Sequence, residues 1–140
     1  MNILAYDVVD VDEPEPAKMV DMDTLLKESD VITIHVPHIK PTHHMLSTEE
    51  FKKMKESSVL VDCSRGGVVD EKALYEALND GDIKFASKDV FEEEPPKDNP
   101  LLKLDNFHAT PHIGGQTYEG QTRAGTQAAE QVIDELEKRG

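Results

Sequence analysis

Short apolar runs alternate with stretches of helical spacing along the whole chain, and this rhythm constrains the fold more than any other feature. "NILAYDVV" (2–9), "VITIHVP" (31–37), "SVLVDCS" (58–64), "IKFASKDV" (83–90) and "NFHAT" (106–110) read as five strands. Several are β-branched, and the second stops at proline. Between them, "DTLLKESD" (23–30) and "STEEFKKMK" (47–55) read as helices, the latter with Ser47 and Glu50 at the capping-box spacing. Asp70 caps "EKALYEALNDG" (71–81), where Ala73, Leu74, Ala77 and Leu78 share one face and Gly81 is the stop. A final helix spans about 116–138, with Ala124, Ala128, Val132 and Leu136 in one row and Ala129 and Ile133 beside it. Such alternation implies an α/β fold of three layers, a parallel sheet covered on both faces.

A chain of 140 residues is enough for one domain, 1–140, with a buried core. It has no long apolar run and no signal-peptide pattern, so the expectation is a soluble, cytoplasmic protein. Cys63 is the single cysteine, which leaves no internal disulfide and fits a reducing compartment. A net charge of −14 repels nucleic acid and anionic membrane, and neither is expected as a partner. The acid is concentrated in "DVVDVDEPEP" (7–16) and "DVFEEEPPKD" (89–98), which read first as solvated loops.

In an open parallel sheet, ligands sit outside the carboxyl ends of the strands. Cys63, Ser64 and Arg65 fall there, on the two-glycine turn "CSRGGVVDEKAL". The plainer reading is a tight turn with a solvated arginine. Asp7, Asp62, Asp89 and His112 fall at the same ends, and four such residues around one edge suggest a site. A histidine near a glutamate suits acid–base work, because a carboxylate orients an imidazole. "HVPHIKPTHH" (35–44) holds His35, His38, His43 and His44, but no Cys or carboxylate stands at a ligand spacing. It reads as a solvated loop, and no metal is expected. Neither G-x-G-x-x-G nor G-x-x-x-x-G-K-[ST] occurs, so no phosphate cradle is apparent.

The stretches "NILAYD", "LLKESDVITIHVP", "VLVDCSRGGVVDEKALYEAL", "DVFEEEPP", "PLLKLDNF" and "TPHIGG" resemble, in order, the NAD-binding domain of the D-isomer-specific 2-hydroxyacid dehydrogenases of the phosphoglycerate and glyoxylate dehydrogenase type. The resemblance implies that Arg65 binds and polarises a 2-oxo acid, that His112 donates a proton to its carbonyl oxygen, and that Glu94 holds His112. It implies that Asp7 binds the adenosine ribose of NAD. Val36, the Cys63–Ser64–Arg65 backbone, Asp89, and His112, Ile113, Gly114 and Gly115 would line the nicotinamide side. Family members are much longer, and the resemblance begins at the family's second Rossmann strand. Their substrate domain, first strand and Gly-rich loop have no counterpart here. Ser87, Lys88 and His108 stand where the family has small or aliphatic residues; they read either as edge positions reaching water or as once-covered surface made soluble.

A Rossmann sheet has order 3-2-1-4-5-6. Closing it over a lost first strand gives a five-stranded sheet of flavodoxin-like order 2-1-3-4-5, with residues 3–8 paired to 58–63. Leaving a gap exposes ladder edges, and each buried unsatisfied backbone group costs about 1–3 kcal/mol. Several together exceed a domain's typical stability of about 5–15 kcal/mol. Closure is therefore the expectation. Losing two or three phosphate hydrogen bonds removes about 4–8 kcal/mol, or roughly three to six decades of affinity. The acidic loop 7–16 cannot replace them and argues against FMN.

The leading expectation is thus a truncated or engineered, catalytically inactive module without tight NAD binding, a monomer or a dimer through a former dehydrogenase interface. The alternative is a piece of an active NAD-dependent 2-hydroxyacid dehydrogenase that needs a partner fragment. A remote alternative is a receiver-like phosphoacceptor built on Asp7, Asp10 and Asp62, though Lys88 stands on the strand beside the one where such a domain carries its lysine.

Overall fold

Four parallel strands carry the core: β3 (Val31–Ile34), β4 (Val59–Asp62), β5 (Phe85–Lys88) and β6 (Phe107–Ala109), hydrogen-bonded in that order. The computed structural model describes residues 1–9 and 15–139, so Asp10 and part of the acidic loop 7–16 lie outside the described residues. Register pairs Val31 with Val59, Leu60 with Ala86, and Asp62 with Lys88.

Three helices complete this core: α1 (Met22–Glu28), α2 (Thr48–Phe51) and α3 (Glu71–Asp80). Their ends follow from local chemistry. Asp21 accepts from the Thr24 amide, Asp70 accepts from the Lys72 and Ala73 amides, and the Glu50 carboxylate accepts from the Ser47 amide. Gly81 closes α3 at φ 82°, a left-handed conformation that glycine adopts without a Cβ penalty. Leu26, Phe51, Ala73, Leu74, Ala77 and Leu78 pack with Ile32, Ile34, Leu60 and Ala86 in one buried cluster. The alternate row of the sheet, including Val59, Val61, Phe85 and Ser87, is half-buried, and Val31 is 62% exposed.

The expected strand order is overturned. β1 (Ile3–Ala5) pairs in parallel with a strand not foreseen from the sequence, β2 (Ala17–Met19), and β3 pairs directly with β4. Among the described residues the sheets have two and four strands, and residues 3–5 have no pairing with 59–62. Closure is not required, because the free edges are not buried. Ile3 is 37% and Val31 62% exposed, so the backbone beside them keeps water as a partner and escapes the penalty.

Lys88 is a second correction. Neither an edge position nor solubilised surface, its side chain is fully buried. His108, on the outer strand β6, is exposed as expected.

The chain divides into two compact units, Met1–Thr110 and Pro111–Gly140. The second contains the long helix α4 (Tyr118–Arg139), which buries none of its residues. Val132, Ile133 and Leu136 of the expected apolar rows are 60%, 54% and 66% exposed.

Candidate active site

The carboxyl ends of β4 and β5 are tied together by a buried carboxylate. Asp62 Oδ1 accepts from both the amide and the hydroxyl of Ser64, and Oδ2 accepts from Lys88 Nζ at 2.7 Å. Both charged side chains are fully buried. The Ser64 bonds curl the chain at the end of β4 and launch Arg65, whose Nη1 donates to the Ser64 carbonyl at 2.6 Å. Arg65 itself is exposed.

After Arg65 the turn meets the segment following β5. A Cβ at Gly66 would lie 2.0 Å from the Phe91 carbonyl oxygen, and Gly67 has φ 83° with the His38 ring against it. Phe91 in turn donates its amide to Glu94 Oε1 at 3.0 Å. The loop that carries Glu94 is pinned further along. Glu71, at the start of α3, accepts from the Glu92 amide and from Asn99 Nδ2, and the His44 ring bonds Glu92 Oε1. Glu94–Pro95 is a cis peptide.

Cys63 and Asp89 complete this edge. Partial burial raises the Cys63 thiol above its ordinary range, and the Asp89 and Asp62 carboxylates add to the effect. Asp89 accepts from the Thr110 hydroxyl. Val36 follows β3, half-buried against the core. Asp7 follows β1, exposed, and accepts from the Val9 amide at 3.0 Å.

In the second unit, His112 has φ 54°, and its carbonyl accepts from Gln116 Nε2 at 3.0 Å. Ile113 accepts from the Gln116 amide, which shapes the 112–115 turn ahead of α4.

The structure therefore gathers Cys63, Ser64, Arg65, Asp89 and Glu94 at one end of the four-stranded sheet. Asp7 lies at the end of the separate pair, and His112, Ile113, Gly114 and Gly115 lie in the second unit. Three of the histidines of 35–44 contact one another: His38 Nε2 bonds His43 Nδ1 at 3.1 Å, and the His43 and His44 rings stack, while His35 Nε2 bonds the Thr33 hydroxyl. Among the described residues no group of three or more His, Cys, Asp or Glu could hold a metal ion. Asp62 is closed off from any phosphodonor by its burial. Sequence reasoning missed Lys88 and Phe91 as parts of the site. The available signal was positional: Asp62 and Lys88 are each the last residue of their strands and are register partners.

An open parallel sheet with polar groups at its carboxyl edge defines a protein of the nucleotide-binding α/β class. The sequence profile described as "D-isomer specific 2-hydroxyacid dehydrogenase, NAD binding domain" matches residues 1–114. The chain belongs to that family. It is 51% identical over 136 residues to a D-3-phosphoglycerate dehydrogenase of Methanocaldococcus jannaschii, covering 94% of this chain and 26% of that protein. It is 46% identical over 139 residues to a hydroxypyruvate reductase of Thermotoga maritima, covering 97% and 45%. Among solved structures, a D-lactate dehydrogenase from Aquifex aeolicus complexed with NAD and lactic acid superposes with a TM-score of 0.84 at 35% identity, covering 99% of this chain and 47% of that one. The chain thus spans between about a quarter and a half of these relatives.

Proposed function

We propose that this chain is the part of an NAD-dependent 2-hydroxyacid dehydrogenase that carries the catalytic residues and the nicotinamide side of the cofactor site. The observation that supports it best is the exposed Arg65, held on a fixed turn whose next residue touches the segment leading to Glu94. A guanidinium fork there suits the planar carboxylate of a 2-oxo acid and polarises the adjoining carbonyl. The family resemblance assigns the role of proton donor to the carbonyl oxygen to His112 and that of the assisting carboxylate to Glu94. The cofactor, bound in its reduced form NADH, would supply the hydride.

The residues present fit one half of the cofactor. Asp7 offers an exposed carboxylate at the end of β1, suited to ribose hydroxyls, and the Cys63–Arg65 backbone borders the reacting end. No phosphate-binding glycine motif occurs in the sequence. The remainder of the enzyme supplies that turn, together with a parallel strand between the free edges of β1 and β3. Inserting one strand there converts the sheets of two and four strands into a single parallel sheet.

The test mixes the chain with a fragment that contains the Gly-rich turn, its strand and the substrate domain. NADH oxidation is followed with glyoxylate and hydroxypyruvate. The mixture turns over, the chain alone does not, and Arg65→Gln abolishes the restored rate. A wild-type mixture inert at saturating fragment refutes the reading.

A further inference from the structure

Lys88 is fully buried in the middle of a parallel sheet, where an aliphatic residue would be the economical choice. A well-packed apolar pair of similar volume usually holds two strands as well as or better than a buried ion pair. Such a pair could not, however, accept the amide and hydroxyl of Ser64, as Asp62 Oδ1 does. The ammonium also faces both limbs of the candidate site. On one side it bonds Asp62, which fixes the turn before Arg65. On the other it lies 5.9 Å from the centre of the Phe91 ring, a cation–π distance. Phe91 donates to Glu94 Oε1 and presses its carbonyl on Gly66.

We propose that Lys88 is a positioning residue, a buried ammonium that sets the Arg65 turn and the Glu94 loop at a fixed distance from each other through Asp62 and Phe91. Its catalytic consequence rests on the function proposed above; the geometry itself does not.

The test uses the 140-residue chain with Lys88→Met combined with Asp62→Asn, which leaves no unpaired buried charge. Amide hydrogen exchange is compared with wild type, residue by residue. Exchange at Val68, whose amide bonds the Arg65 carbonyl, and at Phe91, whose amide bonds Glu94, accelerates by about tenfold or more, the equivalent of one lost hydrogen bond, while Leu74, Ala77 and Leu78 of α3 keep their protection. Uniform acceleration across the sheet, or no change at the two loops, overturns the proposal. Should the double variant fail to fold, Ser64→Ala probes the same link with the ion pair intact. Faster exchange at Val68, whose amide closes the turn onto the Arg65 carbonyl, then supports the proposal, and unchanged exchange there sinks it. In the reconstituted dehydrogenase, the double variant raises KM for the 2-oxo acid and lowers kcat while leaving the KM for NADH within about twofold. Equal losses in every parameter count against positioning. If even the wild-type mixture is inactive, the functional reading fails, and the exchange data alone decide the role of Lys88.

Discussion

Gly66 and Phe91 meet backbone to backbone, so closely that a Cβ at residue 66 would lie 2.0 Å from the Phe91 carbonyl oxygen. The atom in the way is main chain and cannot swing aside. Gly66→Ala must therefore push the Arg65 turn and the Phe91 segment apart, at a cost of about 1–3 kcal/mol or more. Urea denaturation should show the loss, and the reconstituted enzyme should lose 2-oxo acid reduction even where the variant still folds. Native stability in Gly66→Ala would contradict this packing.

The ion pair of Lys88 and Asp62 should be strongly asymmetric under mutation. Lys88→Met alone strands a buried carboxylate and should destabilise the chain by about 3–5 kcal/mol. Adding Asp62→Asn removes that charge, keeps an acceptor for Ser64, and should recover most of the loss. A double-mutant cycle in urea measures the coupling. Additive effects would mean that the two groups do not act as a pair.

Acid should weaken the helix starts. Burial opposes ionisation of Asp70, but the Ala73 amide, the Ser47 hydroxyl and neighbouring His44 outweigh it and hold the carboxyl below its ordinary value. The Thr24 amide and hydroxyl do the same for Asp21. A pKa lower in the folded than in the unfolded state gives stability that is present above about pH 4 and lost as pH falls through the folded value. Thermal melts from pH 6 down to pH 3 should show it. In Asp70→Asn, which keeps a capping oxygen but does not titrate, the drop should be smaller.

Cys63 should react slowly despite its exposure. Its thiol is raised by partial burial and by Asp89 and Asp62, and only the thiolate is nucleophilic. Iodoacetamide labelling at pH 7 should lag behind that of a free thiol, and its rise with pH should come later than the free thiol's. Asp89→Asn should speed it, and labelling as fast as free cysteine would contradict this environment.

What the sequence disclosed tracks how local each determinant is. The caps of α2 and α3 were legible because Ser47, Glu50, Asp70 and Gly81 act within a few residues of themselves. The edge holding Cys63, Ser64 and Arg65 was legible because a parallel sheet places strand ends together. β2 was not, since Ala17–Met19 has no β-branched residue and at three residues is too short for its alternation to stand out. Lys88 was misread because its burial depends on a partner 26 residues away. Strand order failed for a related reason. It turns on whether an edge stays wet, and no local pattern encodes that.

The open margin of β3 bears on how this chain behaves in solution. A strand with Val31 at 62% exposure and one free ladder invites a second copy to add on, yet a net charge of −14 holds copies apart. Salt shrinks that repulsion to within about 10 Å at 0.1 M. Colloidal behaviour should therefore follow ionic strength: light scattering stays flat in dilute buffer and rises as salt is added, until a complementary strand occupies the margin.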